Sequence, residues 1–210
     1  MNTRSAIAIC VSLAAAPPLV GCGSGQRFSD DELRHPNQLM AEALRLAERA
    51  EQARRRGNEL KAIELYRESI AVYDAIALPH NNLGMLLMEQ GDALGASRAF
   101  RRAADLATTD PRPFANLGYM HAQRGWTDDA LRYYELALER DPNDLESLRG
   151  VIRAAESEGR AEQTDLDHIR RATFRETDPR WISYIERQKF RVENQIRLQR
   201  LAERNTGGER

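Results

Sequence analysis

The chain has 210 residues, of which 41% are hydrophobic and 30% are charged, a balance typical of a folded protein rather than a disordered one. Its 31 basic and 32 acidic residues leave a formal net charge of −1, which argues against a nucleic-acid-binding surface along the whole chain. Aromatic residues make up only 6%, and helix-favouring residues dominate. The composition therefore predicts an all-α protein and argues against a β-sandwich or β-barrel.

An apolar segment opens the chain. Arg4 gives it a basic start, and residues 5–20 carry no charge. This pattern predicts a secretory signal peptide over residues 1–21, because the apolar run is short for a membrane-spanning helix. The segment ends in Leu19-Val20-Gly21-Cys22, which resembles the bacterial lipobox. That resemblance implies cleavage before Cys22 and acylation of its thiol. The alternatives are an ordinary signal peptide with a chance cysteine and an uncleaved anchor.

The lipobox resemblance implies a lipid anchor in a bacterial cell envelope, where two or three acyl chains give stable attachment. Gly23 follows the cysteine, which resembles the pattern for delivery to the outer membrane, facing the periplasm, more than that for the inner membrane. Cys10 would leave with the signal peptide, so no thiol would remain for a disulfide, a metal or catalysis. Residues 22–36 are then expected to form a lipidated, flexible tether.

A period of 34 residues organises the rest of the chain. Glycines recur at this spacing at Gly57, Gly91, Gly125 and Gly159. Small residues follow at Ala62, Ala96 and Ala130, and aromatic residues at Tyr66, Phe100 and Tyr134. The period predicts four units at about 43–76, 77–110, 111–144 and 145–178. Each unit shows two stretches with apolar residues three and four apart, so each is predicted to be a pair of helices.

The third unit carries the clearest motif. It reads Phe114-x₂-Leu117-Gly118-x₂-His121, followed by Ala130-x₃-Tyr134 and Pro142. This resembles the tetratricopeptide repeat. The resemblance implies helix-turn-helix hairpins stacked in a right-handed superhelix with a concave groove, over residues 37–178. The two outer units depart from the motif, as terminal repeats usually do.

Glycine, acidic residues and proline mark the predicted helix ends. The recurring glycines are expected to take the left-handed conformation that ends the first helix of each hairpin. Asp92 and Thr127 are expected to cap the helix that follows. Asp-Pro pairs are expected to separate successive units, because the residue before proline is disfavoured in a helix. These pairs are Asp110-Pro111, Asp141-Pro142 and Asp178-Pro179.

Residues 179–204 are predicted to form a long C-terminal helix, followed by a disordered tail over 205–210. Trp181 stands at its start, and Ile182, Ile185, Val192 and Ile196 form one apolar stripe. Two interpretations of the stripe remain open. The helix covers the end of the array, or it pairs with a partner or with a second copy. Its basic residues suit anionic lipid or peptide, but also a solvated face.

The residues offer little for catalysis. The four histidines, His35, His80, His121 and His168, share no metal-binding spacing, and no nucleophile lies beside an obvious base. His121 and His168 fall in columns that the repeat usually buries, so we expect them in the core. The sequence therefore predicts a protein that is not an enzyme, with no cofactor, no metal and no small-molecule substrate.

The candidate site is the concave groove. The repeat resemblance implies that the first helix of each hairpin lines it and binds extended peptides or helices. The amides of Asn82 and Asn116 share a column and can bind a peptide backbone, or they can pack the hairpins. Arg149 and Arg153 resemble, loosely, the carboxylate clamp of chaperone-binding members. The candidate residues are Asn82, Met85, Asn116, Tyr119, Gln123, Arg149 and Arg153, with the exposed ring of Tyr119 as the strongest.

The sequence as a whole predicts a lipid-anchored module that scaffolds or assembles an envelope protein complex. Only its architecture resembles that of the pilotins of type IV pili and of outer-membrane assembly lipoproteins. The expected partners are another envelope protein or peptide, and the membrane through the lipid on Cys22, but no nucleic acid. One alternative is a structural lipoprotein that self-associates through the C-terminal helix. Another is a non-catalytic subunit that modulates an envelope enzyme.

Overall fold

The computed structural model describes residues 35–207, with side chains as far as residue 204. The predicted signal peptide, the lipobox, Gly23 and most of the tether lie outside the described residues, as do residues 208–210. Every regular element of the described part is an α-helix. The helices are α1 (Pro36–Arg55), α2 (Glu59–Val72), α3 (Ala77–Glu89), α4 (Ala93–Leu106), α5 (Arg112–Gln123), α6 (Thr127–Arg140), α7 (Leu145–Ser157), α8 (Gln163–Arg175) and α9 (Pro179–Gly207).

The first eight helices pack in consecutive pairs. α1 packs with α2, α3 with α4, α5 with α6, and α7 with α8, and each hairpin packs against the next. The predicted all-α superhelical array, ending in a long helix, is confirmed. The first hairpin is extended at its start, because α1 is a 20-residue helix that begins at Pro36.

The alanine and aromatic columns build the interior of the array. The three column alanines, Ala62, Ala96 and Ala130, are fully buried, so the two helices of a hairpin approach closely. Phe100 fills the space beside them and is also fully buried. A Cβ atom at Gly84 would lie 2.7 Å from the Phe100 ring. Glycine at this position leaves room for the Phe100 ring to pack directly against the neighbouring helix. Burial of such a ring contributes about 1.5–3 kcal/mol to stability.

The turn glycines take the predicted conformation. Their φ angles are 77° at Gly57, 81° at Gly91, 73° at Gly125 and 67° at Gly159. Any other residue in this left-handed region is strained by roughly 1–2 kcal/mol. The glycines therefore reverse the chain between the two helices of each hairpin at little conformational cost.

One predicted cap is confirmed and one is wrong. The carboxylate of Asp92 accepts a hydrogen bond from the backbone N–H of Gly95 at 2.8 Å, as a helix cap should. Thr127, however, is already the first residue of α6, and Trp126 takes the cap position without a side-chain cap bond. The Trp126 indole instead lies beside His121, with 5.4 Å between ring centroids.

α9 covers the end of the array. It contacts α8 and α7, as the first helix of a further hairpin would. Ile185 and Val192 are each only 1% exposed, and Ile196 packs partly buried against the same cluster. The stripe on which self-association would depend is therefore directed into the chain's own core. The helix also continues through Gly207, so residues 205–207 of the predicted tail are helical.

Candidate functional site

The first helices of the hairpins carry two clefts along one side of the array. The proximal cleft, of about 260 Å³, lies between α1, α3 and the start of α5. The distal cleft, of about 310 Å³, lies between α5, α7 and the start of α9. The proximal cleft contains Asn82 and Met85, and the distal cleft contains Tyr119, Gln123, Arg149 and Arg153.

Asn82 and Asn116 form hydrogen bonds between helices. The Asn116 amide donates to the side-chain oxygen of Asn81 at 2.9 Å, joining α5 to α3. The amide of Asn81 donates to Asn82 at 3.3 Å, and that of Asn82 donates to the Tyr66 hydroxyl at 3.0 Å, joining α3 to α2. In the structure, Asn82 and Asn116 therefore hold neighbouring helices together, which is the second of the two roles that the sequence left open for them.

A charged carboxylate ends this chain of hydrogen bonds. The Tyr66 hydroxyl donates to Glu51 on α1, with 3.4 Å between the oxygens. Glu51 also accepts hydrogen bonds from Arg54 and Arg55, each with a contact of 2.9 Å or shorter. Hydrogen bonding to Arg54 is the main reason that the pKa of Glu51 falls to about 2. The polar groups of the proximal cleft are therefore largely satisfied within the chain.

Arg149 is held by the chain's own carboxylates. Its Nε and Nη2 atoms each donate to Glu176, in the α8–α9 turn, at 2.8 Å, and Nη1 donates to Glu146 at 2.8 Å. Glu176 also accepts from the backbone N–H groups of Thr177 and Asp178, both at 2.9 Å. The hydrogen bonds from Arg149 hold the pKa of Glu176 below its usual value. The clamp resemblance predicts that Arg149 binds a carboxylate of a partner. In the structure, Glu176 of this chain supplies that carboxylate instead.

Arg153 differs from Arg149. Its guanidinium stacks over the Trp181 ring, 4.3 Å from the ring centroid, with Arg149 over the same ring at 4.8 Å. Arg153 is exposed, and it forms no ion pair with any residue of the described part of the chain. The cation–π contact with the indole holds the guanidinium at the cleft and uses none of its N–H groups. Arg153 therefore presents an unneutralised cation to the distal cleft.

Trp181 is a site residue that the sequence did not reveal. The sequence puts Trp181 at the start of the C-terminal helix, but the apolar spacing of that helix does not indicate that the ring contacts α7. Glu156 on α7 anchors the same helix, because it accepts a hydrogen bond from the Tyr184 hydroxyl at 2.6 Å and another from Gln188. α9 is therefore anchored to α7, and the exposed Tyr119, at 44%, lines the opening beside its start.

His121 and His168 belong to the core, as expected. His121 and His168 are 8% and 5% exposed, and burial lowers the pKa of both, that of His168 to about 4. Between residues 35 and 207 no group of histidine, cysteine and acidic side chains is arranged to hold a metal ion. None of the helices described has the length and apolar character needed to span a bilayer.

Comparison with known proteins finds the repeat in the third hairpin. Residues 111–144 match the family described as Tetratricopeptide repeat. That hairpin is a tetratricopeptide repeat. Comparison with curated proteins gives no match.

Solved structures show the same fold. A MamA structure aligns with 20% identity and a TM-score of 0.55, over 63% of this chain and 72% of that one. YrrB, titled a TPR protein with an unusual peptide-binding site, aligns with 18% identity and a TM-score of 0.55, over 70% and 76%. The second TPR domain of human RPAP3, in complex with an HSP70 peptide, aligns with 22% identity and a TM-score of 0.51, over 57% and 98%. The chain therefore has the tetratricopeptide-repeat fold.

Proposed function

We propose that this chain is a lipid-anchored protein-binding module that scaffolds or assembles a bacterial envelope complex through its distal cleft. The observation that carries the proposal is the composition of this cleft. An exposed Tyr119, an amide at Gln123 and the free guanidinium of Arg153 surround one opening. Rigid aromatic and arginine side chains are the types most enriched where proteins bind one another.

The fold supports an interaction role. Structures with this fold include one with a bound HSP70 peptide and one titled for its peptide-binding site. The Leu19-Val20-Gly21-Cys22 sequence supports the lipid anchor, and Gly23 favours the outer membrane, facing the periplasm. The partner is then another envelope protein or peptide.

The self-association alternative depends on the C-terminal helix. It needs an exposed apolar stripe, and the buried Ile185 and Val192 remove the centre of that stripe. A non-catalytic subunit that modulates an envelope enzyme is a special case of the proposal, in which the bound protein is the enzyme. Identification of the partner separates the two.

A comparative pull-down tests the cleft. The full chain in detergent is immobilised beside a cleft variant with Tyr119→Ala, Gln123→Ala and Arg153→Ala. The matched control replaces three exposed residues of α4, with Leu94→Ala, Arg98→Ala and Arg101→Ala. An envelope protein that binds the parent and the α4 variant but not the cleft variant supports the proposal. Equal capture by all three rejects the cleft as the binding surface.

A separate experiment tests the anchor. Cells expressing the parent or the Cys22→Ser variant are labelled with a radioactive fatty acid and fractionated. We expect label and membrane attachment only with the parent, and an unprocessed precursor with the variant. A variant that is normally processed and still membrane-bound contradicts the lipobox interpretation.

A further inference from the structure

A third cleft lies between the last two helices. It has a volume of about 380 Å³ and is formed by the first half of α8 and the C-terminal half of α9. We name it the basic cleft. Arg197 on its wall follows Trp181 by 16 residues, which is a rotation of about 160° around α9. The basic cleft therefore opens on the opposite side of this helix from the distal cleft.

Arginine dominates the rim of the basic cleft. Its basic residues are Arg170, Arg197, Arg200 and Arg204. Of the described residues, a single carboxylate, that of Glu193, lines it. Arg170 pairs with Asp167 at 3.0 Å, but both side chains are more than half exposed, so water screens the pair. Arg200 and Arg204 form no ion pair with any residue that the structure describes. The cleft thus carries positive charge that the chain does not neutralise.

Apolar side chains accompany this charge. Those that line the basic cleft are Leu166, Ile196 and Leu201. Two phenylalanines flank it, with Phe174 96% exposed and Phe190 73% exposed. Phe174 is one helical turn after Arg170, and Phe190 is two turns before Arg197. Each ring therefore lies on the helix face that carries a cleft arginine.

A membrane surface suits this combination. Helices that attach to a bilayer surface place phenylalanine and leucine in the acyl boundary and basic residues among the headgroups. The guanidinium group of arginine matches the geometry of phosphate. An acidic peptide confined to the cleft would neutralise the arginines but leave Phe174 and Phe190 outside it. Anionic phospholipid accounts for the arginines and for both rings.

The sequence keeps such a surface within reach. Twelve residues separate Cys22 from His35, and even a fully extended chain of this length spans only about 40 Å. A lipid on Cys22 would hold the array within this distance of a bilayer. A second contact is then intramolecular, so a face with weak affinity of its own can remain bound.

We propose that the basic cleft, with Phe174 and Phe190, is a second membrane contact of this chain. The arginines bind the phosphates of anionic phospholipids, and the two rings enter the headgroup region. This inference rests on the lipid anchor of the proposed function and goes beyond it, because it gives the anchored array an orientation. With the basic cleft on the bilayer, the distal cleft on the other side of α9 is turned away from the lipid and open to a partner.

The test uses the full chain, purified in detergent and reconstituted in vesicles. The vesicles are made of phosphatidylcholine alone or of equal parts of phosphatidylcholine and phosphatidylglycerol. A photoreactive phenylalanine replaces Phe174 or Phe190, which nearly conserves the ring, or Leu94 on α4 as the control. Flotation measures attachment of the chain, and mass spectrometry measures lipid adducts after illumination.

Charge variants accompany each photoreactive position. The cleft variant carries Arg197→Gln, Arg200→Gln and Arg204→Gln. The matched control removes three exposed arginines of α2 and α4, with Arg67→Gln, Arg98→Gln and Arg101→Gln. Both variants lose the same charge, so a difference between them reports the place of the arginines and not the net charge.

We expect lipid adducts from the Phe174 and Phe190 positions in vesicles that contain phosphatidylglycerol, and few from Leu94. One basic side chain near an anionic surface strengthens attraction roughly fivefold, so the cleft variant should form at least about tenfold fewer adducts. The matched control should keep the yield of the parent, and vesicles of phosphatidylcholine alone should give a loss like that of the cleft variant. Flotation should be equal throughout, because the anchor holds the chain.

Flotation separates the ways in which the inference can fail. A chain that floats but gives no lipid adduct from Phe174 or Phe190 contradicts the membrane contact and leaves the anchor standing. A chain that does not float contradicts both. An unchanged yield in the cleft variant shows that the arginines do not bind the phosphates. A crosslink from Phe190 to a second copy, or in cells to another protein, without lipid adducts overturns the inference and makes this face a protein interface.

Discussion

The buried ion pair between Arg149 and Glu176 offers the sharpest test of how α9 is attached. Glu176→Ala removes a carboxylate whose side chain is 1% exposed, together with two hydrogen bonds to Arg149. It also leaves two backbone N–H groups of the α8–α9 turn without their acceptor. Breaking a buried pair costs about 3–5 kcal/mol. Because Arg149 keeps Glu146 as a partner, we expect the lower end, about 3 kcal/mol.

This loss is comparable with the contribution of one or two of the apolar side chains that attach α9. The helix buries Ile185 and Val192, and each such side chain contributes about 1.5–3 kcal/mol. Hydrogen–deuterium exchange measures the opening of this helix directly. A cost of about 3 kcal/mol corresponds to exchange roughly a hundredfold faster across residues 179–204, with α3 and α4 little changed.

A matched control separates this effect from general loss of charge. Asp167 pairs with Arg170 on the surface of α8, where the two side chains are 55% and 63% exposed. Asp167→Ala should change the free energy of unfolding by less than about 0.5 kcal/mol and leave α9 protected. If Glu176→Ala exchanges like Asp167→Ala, the ion pair does not hold α9.

The pH dependence follows from the same pair. The pKa of Glu176 is lowered in the folded chain by its hydrogen bonds to Arg149, so the unfolded state binds more protons at mildly acidic pH. The stabilisation that Glu176 contributes is therefore complete above its pKa in the unfolded chain, near 4.3. It is lost as the pH falls through the lower pKa that this carboxyl has in the folded chain. After correction for the slower intrinsic amide exchange at lower pH, the protection factors across α9 should fall in this window in the parent, but not in Glu176→Ala.

Three further predictions test the remaining structure. Gly125→Ala should lower stability by roughly 1 kcal/mol in urea melts, because alanine is strained at a φ of 73°. The loss should be no larger, since its Cβ would meet nothing within 4 Å. An unchanged midpoint contradicts the turn assignment. Gly150→Ala should cost about 1–3 kcal/mol by clashing with the Tyr134 ring, and Tyr134→Leu should remove part of that penalty; strict additivity of the two changes contradicts the contact. The unfolding free energy should fall as the pH drops from 6.5 towards about 4, since His168 is buried neutral; His168→Gln should flatten that slope, and an equal slope contradicts its role.

The repeat could be predicted because it is local. A 34-residue period, glycines at the turns and one aromatic per hairpin are all visible along the chain, and each has a direct physical role. Gly125 is left-handed and Phe100 is fully buried, as those columns indicate. The Thr127 prediction was wrong by one position, because this capping residue type stands at the first residue of α6 and Trp126 takes the cap position.

The details of the cleft depend on contacts between distant residues. Arg149 and Glu176 are 27 residues apart and meet only because α8 packs back along α7 and brings the α8–α9 turn to it. Trp181 enters the cleft for the same reason. Gly150 stands in the column that holds Asn82, and the Tyr134 ring occupies the space of a Cβ atom there, a contact that the sequence alone does not indicate.

Site-specific photocrosslinking in living cells tests the central claim most directly. A photoreactive phenylalanine replaces Tyr119 in the distal cleft or, as the control, Leu94, which is 67% exposed on α4. The account predicts that the Tyr119 position crosslinks to one envelope protein and that Arg153→Gln weakens the crosslink, whereas the Leu94 position gives none. A specific crosslink from Leu94 and none from Tyr119 would contradict it and would move the binding surface to the second helices of the hairpins.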